Sequence, residues 1–155
     1  MRKRKASPLI EEWSGIEPSD AYGRWPILSL NGRPQFAELA SLRILEDDGW
    51  SGVWVDIYRN KCRTAYWPKN EVELPPKQQQ LLQRIYEKAG SNKGCWDVFC
   101  WREEMYLFAE SKRQGHDRIR DTQRQWLEAA IKCNLSLTSF LIVGWSAEPA
   151  RGKAA

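Results

Sequence analysis

The sequence predicts an α/β fold, a mixed β-sheet flanked by helices. Three observations predict it. Segments with helical spacing of apolar residues are interspersed with segments that alternate as strands do, in the order helix, strand, insert with a helix, strand, strand, helix, strand. The 155 residues are one domain's worth of chain, and 42% of them are hydrophobic, enough to bury a core. No apolar run approaches the ~20 residues that a membrane-spanning helix needs.

Residues 1–33 read as an N-terminal basic extension. Arg2, Lys3, Arg4 and Lys5 form either a solvated tail or a phosphate-binding arm, and Pro8, Gly15, Pro18, Gly23, Pro26 and Gly32 interrupt any long element. The first helix is predicted from Pro34 to Asp48. Pro34 suits its first turn, Phe36, Leu39, Leu42 and Leu45 share a stripe, and Gly49 stops it. Val53 to Tyr58 alternates as a strand. Arg59-Asn60-Lys61 is a turn, and Thr64 to Trp67 suits a returning strand. Pro75-Pro76 opens a second helix with Leu81, Leu82, Ile85 and Tyr86 on one face, closed by Gly90. Trp96 to Trp101 and Met105 to Lys112 read as strands around a polar Arg102-Glu103-Glu104 turn. A polar loop from Arg113 to Arg120 leads into a helix at 121–132 and a last strand at 137–145, and residues 147–155 form a flexible tail. The domain thus spans 34–146, with an unassigned insert at about 59–93.

Several classes are excluded. The composition is not that of a disordered chain. Met1-Arg-Lys-Arg-Lys5 resembles the start of a secretory signal, but Glu11-Glu12 follow before any apolar stretch forms, so a cytoplasmic location is expected. Cys62, Cys95, Cys100 and Cys133 contain no CxxC pair, and with a single histidine a structural zinc is not expected; free thiols are. A net charge of +4 permits a nucleic-acid partner without requiring one. Nine tryptophans suit an aromatic core, base stacking or a subunit interface.

The hairpin and the helix after it carry the chemistry. With the turn centred between Glu103 and Glu104, opposed residues have numbers summing to 207, and Asp97 faces Glu110. Lys112 lies on the face of Glu110, two residues on. Two carboxylates and one ammonium therefore converge. A three-residue turn would instead place Asp97 and Glu110 on opposite faces. In the next helix Gln123, Trp126, Leu127 and Ala130 form one stripe, so Gln123 either points inward, where it needs a hydrogen-bond partner, or sits at the stripe's edge bonded to water. Glu38 lies on the helix face of Leu42 and Leu45, inward or on the surface.

An acidic-x-Lys tripeptide alone carries no information. Here it is embedded in a longer pattern: Gly94-Cys-Trp-Asp97, then Glu110-Ser-Lys112, Asp117-Arg-Ile119 and Gln123-Arg-Gln-Trp126. Over about residues 94–145 this resembles the VRR-NUC branch of the PD-(D/E)xK nucleases. Trp96 stands where that family usually has Pro, Ser111 where it has an apolar residue, and Arg113 where it has Gly. The resemblance implies a restriction-endonuclease-like core and a metal-dependent nuclease hydrolysing DNA phosphodiester bonds, such as a repair enzyme acting on branched or flap structures, with RNA left open. It implies Mg²⁺ or Mn²⁺ held by Asp97, Glu110 and the Ser111 carbonyl. Lys112 would orient or deprotonate water, Gln123 would bond the lysine or a phosphate, and Glu38 would sit near the metal. Arg113, His116, Arg118, Arg120 and Arg124 form a candidate DNA-binding rim; each alone also suits a solvated loop. A homodimer, with its interface served by the tryptophans, is a further expectation. The competing reading is a non-catalytic nucleic-acid-binding or protein-interaction module on a nuclease fold.

Overall fold

The structure, a computed structural model, describes residues 10–12, 28–30, 33–65 and 71–146. The basic tail at Arg2 to Lys5 and the tail at 147–155 lie outside the described residues, as does the second half of the strand expected at Thr64 to Trp67.

A three-stranded antiparallel sheet opens the described chain: β1 (Ile10–Glu12), β2 (Leu28–Leu30) and β3 (Arg33–Gln35), in that order. The expected extension therefore supplies two short strands, and Leu28 and Leu30 are buried. Pro34 is not in a helix, as expected from its sequence position, but in β3 opposite Ser29. The helix α1 (Ala37–Asp47) starts three residues later, with Phe36 in extended conformation at its N-cap. Pairing with β2 holds Pro34 extended, a conformation its fixed φ also suits.

The main sheet has six strands: β4 (Ser51–Asp56), β5 (Lys61–Arg63), β6 (Glu71–Val72), β7 (Val98–Arg102), β8 (Met105–Arg113) and β9 (Phe140–Trp145). Their spatial order is β6-β5-β4-β7-β8-β9. All neighbours are antiparallel except β8 and β9, which run parallel. The mixed sheet of an α/β fold is thus present. The parallel pair needs a crossover, and α3 (Asp121–Lys132) with a 3₁₀ turn (Leu137–Ser139) supplies it.

The turn after β4 comes at residues 57–60, earlier than the alternation suggested, so the return strand is at 61–63, and Thr64 and Ala65 of the expected strand lie beyond it. Asn60 takes positive φ (52°), which an Asn tolerates well. The insert is an integral part of the fold. It adds β5 and β6 to the sheet edge and α2 (Pro76–Ala89) to one face, where Leu81, Leu82 and Ile85 share a buried cluster with Phe99, Phe108 and Trp126. Gly90 ends α2 in the left-handed region.

Strand alternation divides the core. Val53, Val55, Phe99 and Phe108 face α2 and α3, whereas Trp54, Val98, Cys100 and Ala109 face Leu39 and Leu42 of α1. Phe99 stacks on Phe108 at 4.4 Å, and Trp126 of α3 meets Phe108 edge-on at 4.8 Å. Burying side chains such as these stabilises the fold by roughly 1.5–3 kcal/mol each. Trp50, Trp54, Trp96, Trp126 and Trp145 are buried and Trp101 is half-buried. The described tryptophans therefore belong to the core, not to an exposed interface. Cys62, Cys95, Cys100 and Cys133 are free thiols. No described helix is long and apolar enough to cross a membrane.

Candidate active site

The β7–β8 hairpin sets the site. Its two-residue turn places Glu103 at φ 54°, and the register pairs Val98 with Ala109, Phe99 with Phe108 and Arg102 with Met105. These sums are the expected 207, so Asp97, one residue before β7, lies across from Glu110.

Asp97 is held from three sides. Its main-chain N–H donates to Glu110 Oε2 at 3.1 Å, and its carbonyl accepts the Val55 N–H of β4 at 2.8 Å. Its Oδ2 accepts both the Ser111 main-chain N–H and the Ser111 hydroxyl, each at 3.1 Å. Strand alternation turns the Ser111 side chain away from the face of Glu110, where its hydroxyl needs a partner. Asp97 is that partner, because it stands outside the strand and its carboxylate reaches the neighbouring residue.

Glu110 is buried at the hinge of the cluster. Its Oε1 receives the Gln123 side-chain amide and the Lys112 ammonium, the latter at 2.8 Å. Gln123 thus points inward, but it bonds the carboxylate rather than the lysine or a phosphate. Its amide oxygen accepts the Arg120 main-chain N–H at 2.9 Å, which satisfies one of the unpaired donors at the start of α3. One side chain therefore ties a helix terminus to the acidic cluster.

Two residues of the Gly94-Cys-Trp-Asp97 block, to which the sequence assigns no role of their own, fix this arrangement. Gly94 has φ 79°, and a Cβ there would lie 2.1 Å from the Thr122 carbonyl oxygen. Only glycine lets the strand-entry loop press against the first turn of α3. Trp96 donates its indole N–H to the Gln123 carbonyl at 3.3 Å and meets Phe140 edge-on at 5.3 Å. It braces Gln123 from behind. The Gly-x-x-Asp spacing is a signal for the first; the sequence marks the second only as a departure from the usual Pro, with no sign of the contact it makes.

Electrostatics marks the site as strained by like charge. Burial, then Glu38, then Glu110 push the Asp97 carboxyl well above its ordinary range, against the two Ser111 hydrogen bonds. Glu38, half-buried in the first turn of α1, is raised from 4.5 to about 7, first by burial and then by Glu110 and Asp117; a main-chain hydrogen bond and Lys112 oppose the rise. Glu38 therefore belongs to the cluster and not to the open surface.

The cations of the expected rim sit on the loop and helix beside the cluster. Arg113 is half-buried with its guanidinium 5.5 Å from the Trp145 ring, while His116, Arg118, Arg120 and Arg124 are exposed. Asp117 accepts the Arg113 main-chain N–H at 2.9 Å and so shapes this loop. The structure brings together Glu38, Asp97, Glu110, Ser111, Lys112 and Gln123, and leaves the basic side chains around them as an outer ring. A cavity of about 690 Å³ lies elsewhere, between the β4–β6 strands and α2, and none of these residues lines it.

The donors suit a hard cation. The two carboxylates that lie opposite one another and a main-chain carbonyl are all oxygen ligands, and the excess of negative charge is what Mg²⁺ or Mn²⁺ would offset. As the side chains stand, no described group of three or more His, Cys, Asp or Glu residues is arranged to hold a metal. Asp97 and Glu110 spend their oxygens on Ser111, Gln123 and Lys112 instead. Comparison with protein-family models, with curated proteins and with solved structures finds no match to this chain.

Proposed function

We propose that the protein is a metal-dependent nuclease that hydrolyses DNA phosphodiester bonds, with a preference for branched or flap structures, on a restriction-endonuclease-like core of the VRR-NUC type. The observation that carries this reading is charge balance: Glu38, Asp97 and Glu110 converge on one ammonium, Lys112, beside a loop rich in cations. A phosphodiester is anionic, so an excess of carboxylates is useful against it only with a cation between them. Asp97, Glu110 and the Ser111 carbonyl would hold Mg²⁺ or Mn²⁺, which when bound neutralises phosphate charge and acidifies water. Lys112, now bonded to Glu110, would orient the attacking water or meet the charge that develops on phosphate. Gln123 keeps Glu110 aimed at Lys112. Arg113, His116, Arg118, Arg120 and Arg124 would hold flanking phosphates and place the scissile bond.

A second reading is favoured by one observation. Three of the four carboxylate oxygens of Asp97 and Glu110 already accept protein donors, which suits a nucleic-acid-binding module that no longer cleaves. One experiment separates the two. Labelled single-strand, duplex, 5′-flap and four-way-junction DNA are incubated with the protein in Mg²⁺, Mn²⁺ or EDTA. The nuclease reading expects products with either metal and none in EDTA. Retarded but uncut DNA in both metals would establish the binding module instead.

A further inference from the structure

Backbone or packing accounts for most of the described glycines. Gly49, Gly90, Gly94 and Gly115 have positive φ, and at Gly52 a Cβ would lie 2.4 Å from Cys100 Sγ. Gly144 differs. It lies inside β9 and outside the left-handed region. Among the described residues a Cβ there would meet only the side chain of Gln114, at 3.4 Å, and Gln114 is exposed. A glycine inside a strand weakens it, because it costs entropy and packs nothing. Neither conformation nor crowding calls for this one. A close approach of some other group to the backbone is the remaining use of a strand glycine.

The register shows what the approaching group would meet. Gly144 pairs with Lys112, and Ile142 with Glu110. Paired residues of parallel strands share a face, with the strands ~4.8 Å apart. The same face carries Phe108 and Phe140, whose rings stack at 5.8 Å, and Trp126 of α3 meets Phe140 edge-on. Further along β9 the cover ends: Ile142 is 52% exposed and Gly144 is exposed too. An uncharged step therefore adjoins Glu110 and Lys112. The loop after β8, which starts at Gln114 against Gly144, carries exposed His116, Arg118 and Arg120. A ligand that fits here is anionic where it meets the cations and uncharged where it meets Ile142 and bare backbone. One nucleotide of a nucleic-acid strand has both parts, a phosphate and a sugar with its base.

We propose that Ile142 and Gly144 form the floor on which one nucleotide of the substrate strand rests beside Lys112. Its phosphate turns toward Lys112 and the basic loop. Its sugar lies against the Ile142 side chain and the Gly144 backbone. Gly144 acts as a positioning residue: a side chain there would lift the strand away from Lys112. This floor rests on the nucleic-acid partner proposed above, and it serves the cleaving and the binding-only readings alike.

Binding of fluorescently labelled single-strand, duplex and 5′-flap DNA, read by anisotropy in Ca²⁺ and in EDTA, tests the floor. Gly144→Val should raise Kd by about tenfold or more, and Gly144→Ala by a smaller factor. The melting temperature of both should equal or exceed that of wild type, because each substitution removes the entropy cost of glycine. A structural glycine would move the melting temperature the other way. Ile142→Ser should also weaken binding. Leu141→Phe, which adds bulk to the opposite face of the same strand, should bind as wild type does. Folded Gly144→Val and Gly144→Ala with wild-type Kd, or a lower melting temperature in Gly144→Ala, would overturn the floor and leave the nucleic-acid reading standing. A wild-type protein that binds none of the DNAs in either condition would overturn both.

Discussion

Two clusters of buried charge lie in the same sheet and differ in balance. In β4 and β5, Asp56 Oδ2 lies 3.2 Å from Arg63 Nε and 3.5 Å from an Arg59 guanidinium nitrogen, and its Oδ1 accepts the Arg59 main-chain N–H. Among the described residues, two cations serve this carboxylate. Just before β7, in β8 and in the first turn of α1, three carboxyl groups share one ammonium among the described residues, and two of those groups are driven toward their protonated forms. In the first cluster the buried carboxylate is matched by cations. The second leaves negative charge unmatched, an arrangement that costs stability unless a cation or a proton completes it. Burial of charge is therefore common to both clusters; the sign and size of the imbalance set the second apart.

The sharpest way to break this contrast is to remove the acidic groups. Asp97→Ala and Glu110→Ala should each lower DNA cleavage by on the order of 10³-fold or more, because each would remove a ligand to the neutralising cation. Isothermal titration with Mg²⁺ or Mn²⁺ should show weakened binding, while circular dichroism stays that of the wild type. A wild-type rate in either variant would exclude it from the site.

Lys112→Ala probes the opposite sign. Cleavage should fall by about 10²–10³-fold, with metal affinity retained or raised, since the variant leaves the carboxylates without their ammonium. A variant with unchanged turnover would reduce Lys112 to a structural partner of Glu110.

Asp56→Asn tests the structural cluster. It leaves the buried Arg63 guanidinium without its anion and should destabilise the fold by about 3–5 kcal/mol. Denaturant unfolding measures this. At temperatures where the variant remains folded, cleavage per folded molecule should stay unchanged, in contrast to the two acidic variants above.

The smallest effect is a slope. Glu38 has an ordinary value of 4.5 and is raised to about 7 in the folded chain. Between these values the folded state binds more protons than the unfolded one, so its contribution to stability is present below about 4.5 and is lost as pH rises through about 7. Asp97 is shifted in the same direction and adds to the slope. The melting temperature of metal-free protein should therefore fall over this window by less in Glu38→Gln than in wild type. Adding Mg²⁺ should stabilise wild type more at pH 8 than at pH 5, since protons and cation compete for the same oxygens. Equal slopes in the two proteins would take Glu38 out of the cluster.

Local chemistry made much of this legible in the sequence. The helix at 121–132, the centre of the β7–β8 hairpin and the inward Gln123 all follow from spacing, because side-chain period and turn length act within a few residues. Register arithmetic alone brought Asp97 opposite Glu110, and Lys112 onto the face of Glu110. The start of α1 was misread because Pro34 suits a helix's first turn as well as a strand, and only pairing with Ser29 of β2 decides between them. The return strand at 61–63 was likewise set by its partners, Trp54 to Asp56 and Val72, and not by its own composition.

The sequence by itself determined the α/β class, the hairpin that joins the acidic residues and the identity of the central carboxylates and lysine. These depend on period and on contacts across a two-residue turn. Only the tertiary structure decided that the segment at 59–93 completes the sheet and one face of the core, that Ser111 serves Asp97, and that Glu38 feels Glu110 from another element. It alone showed that β9 is the last strand of the sheet among the described residues. Each of these joins residues far apart in the chain, where distance is fixed by packing and no local propensity reaches.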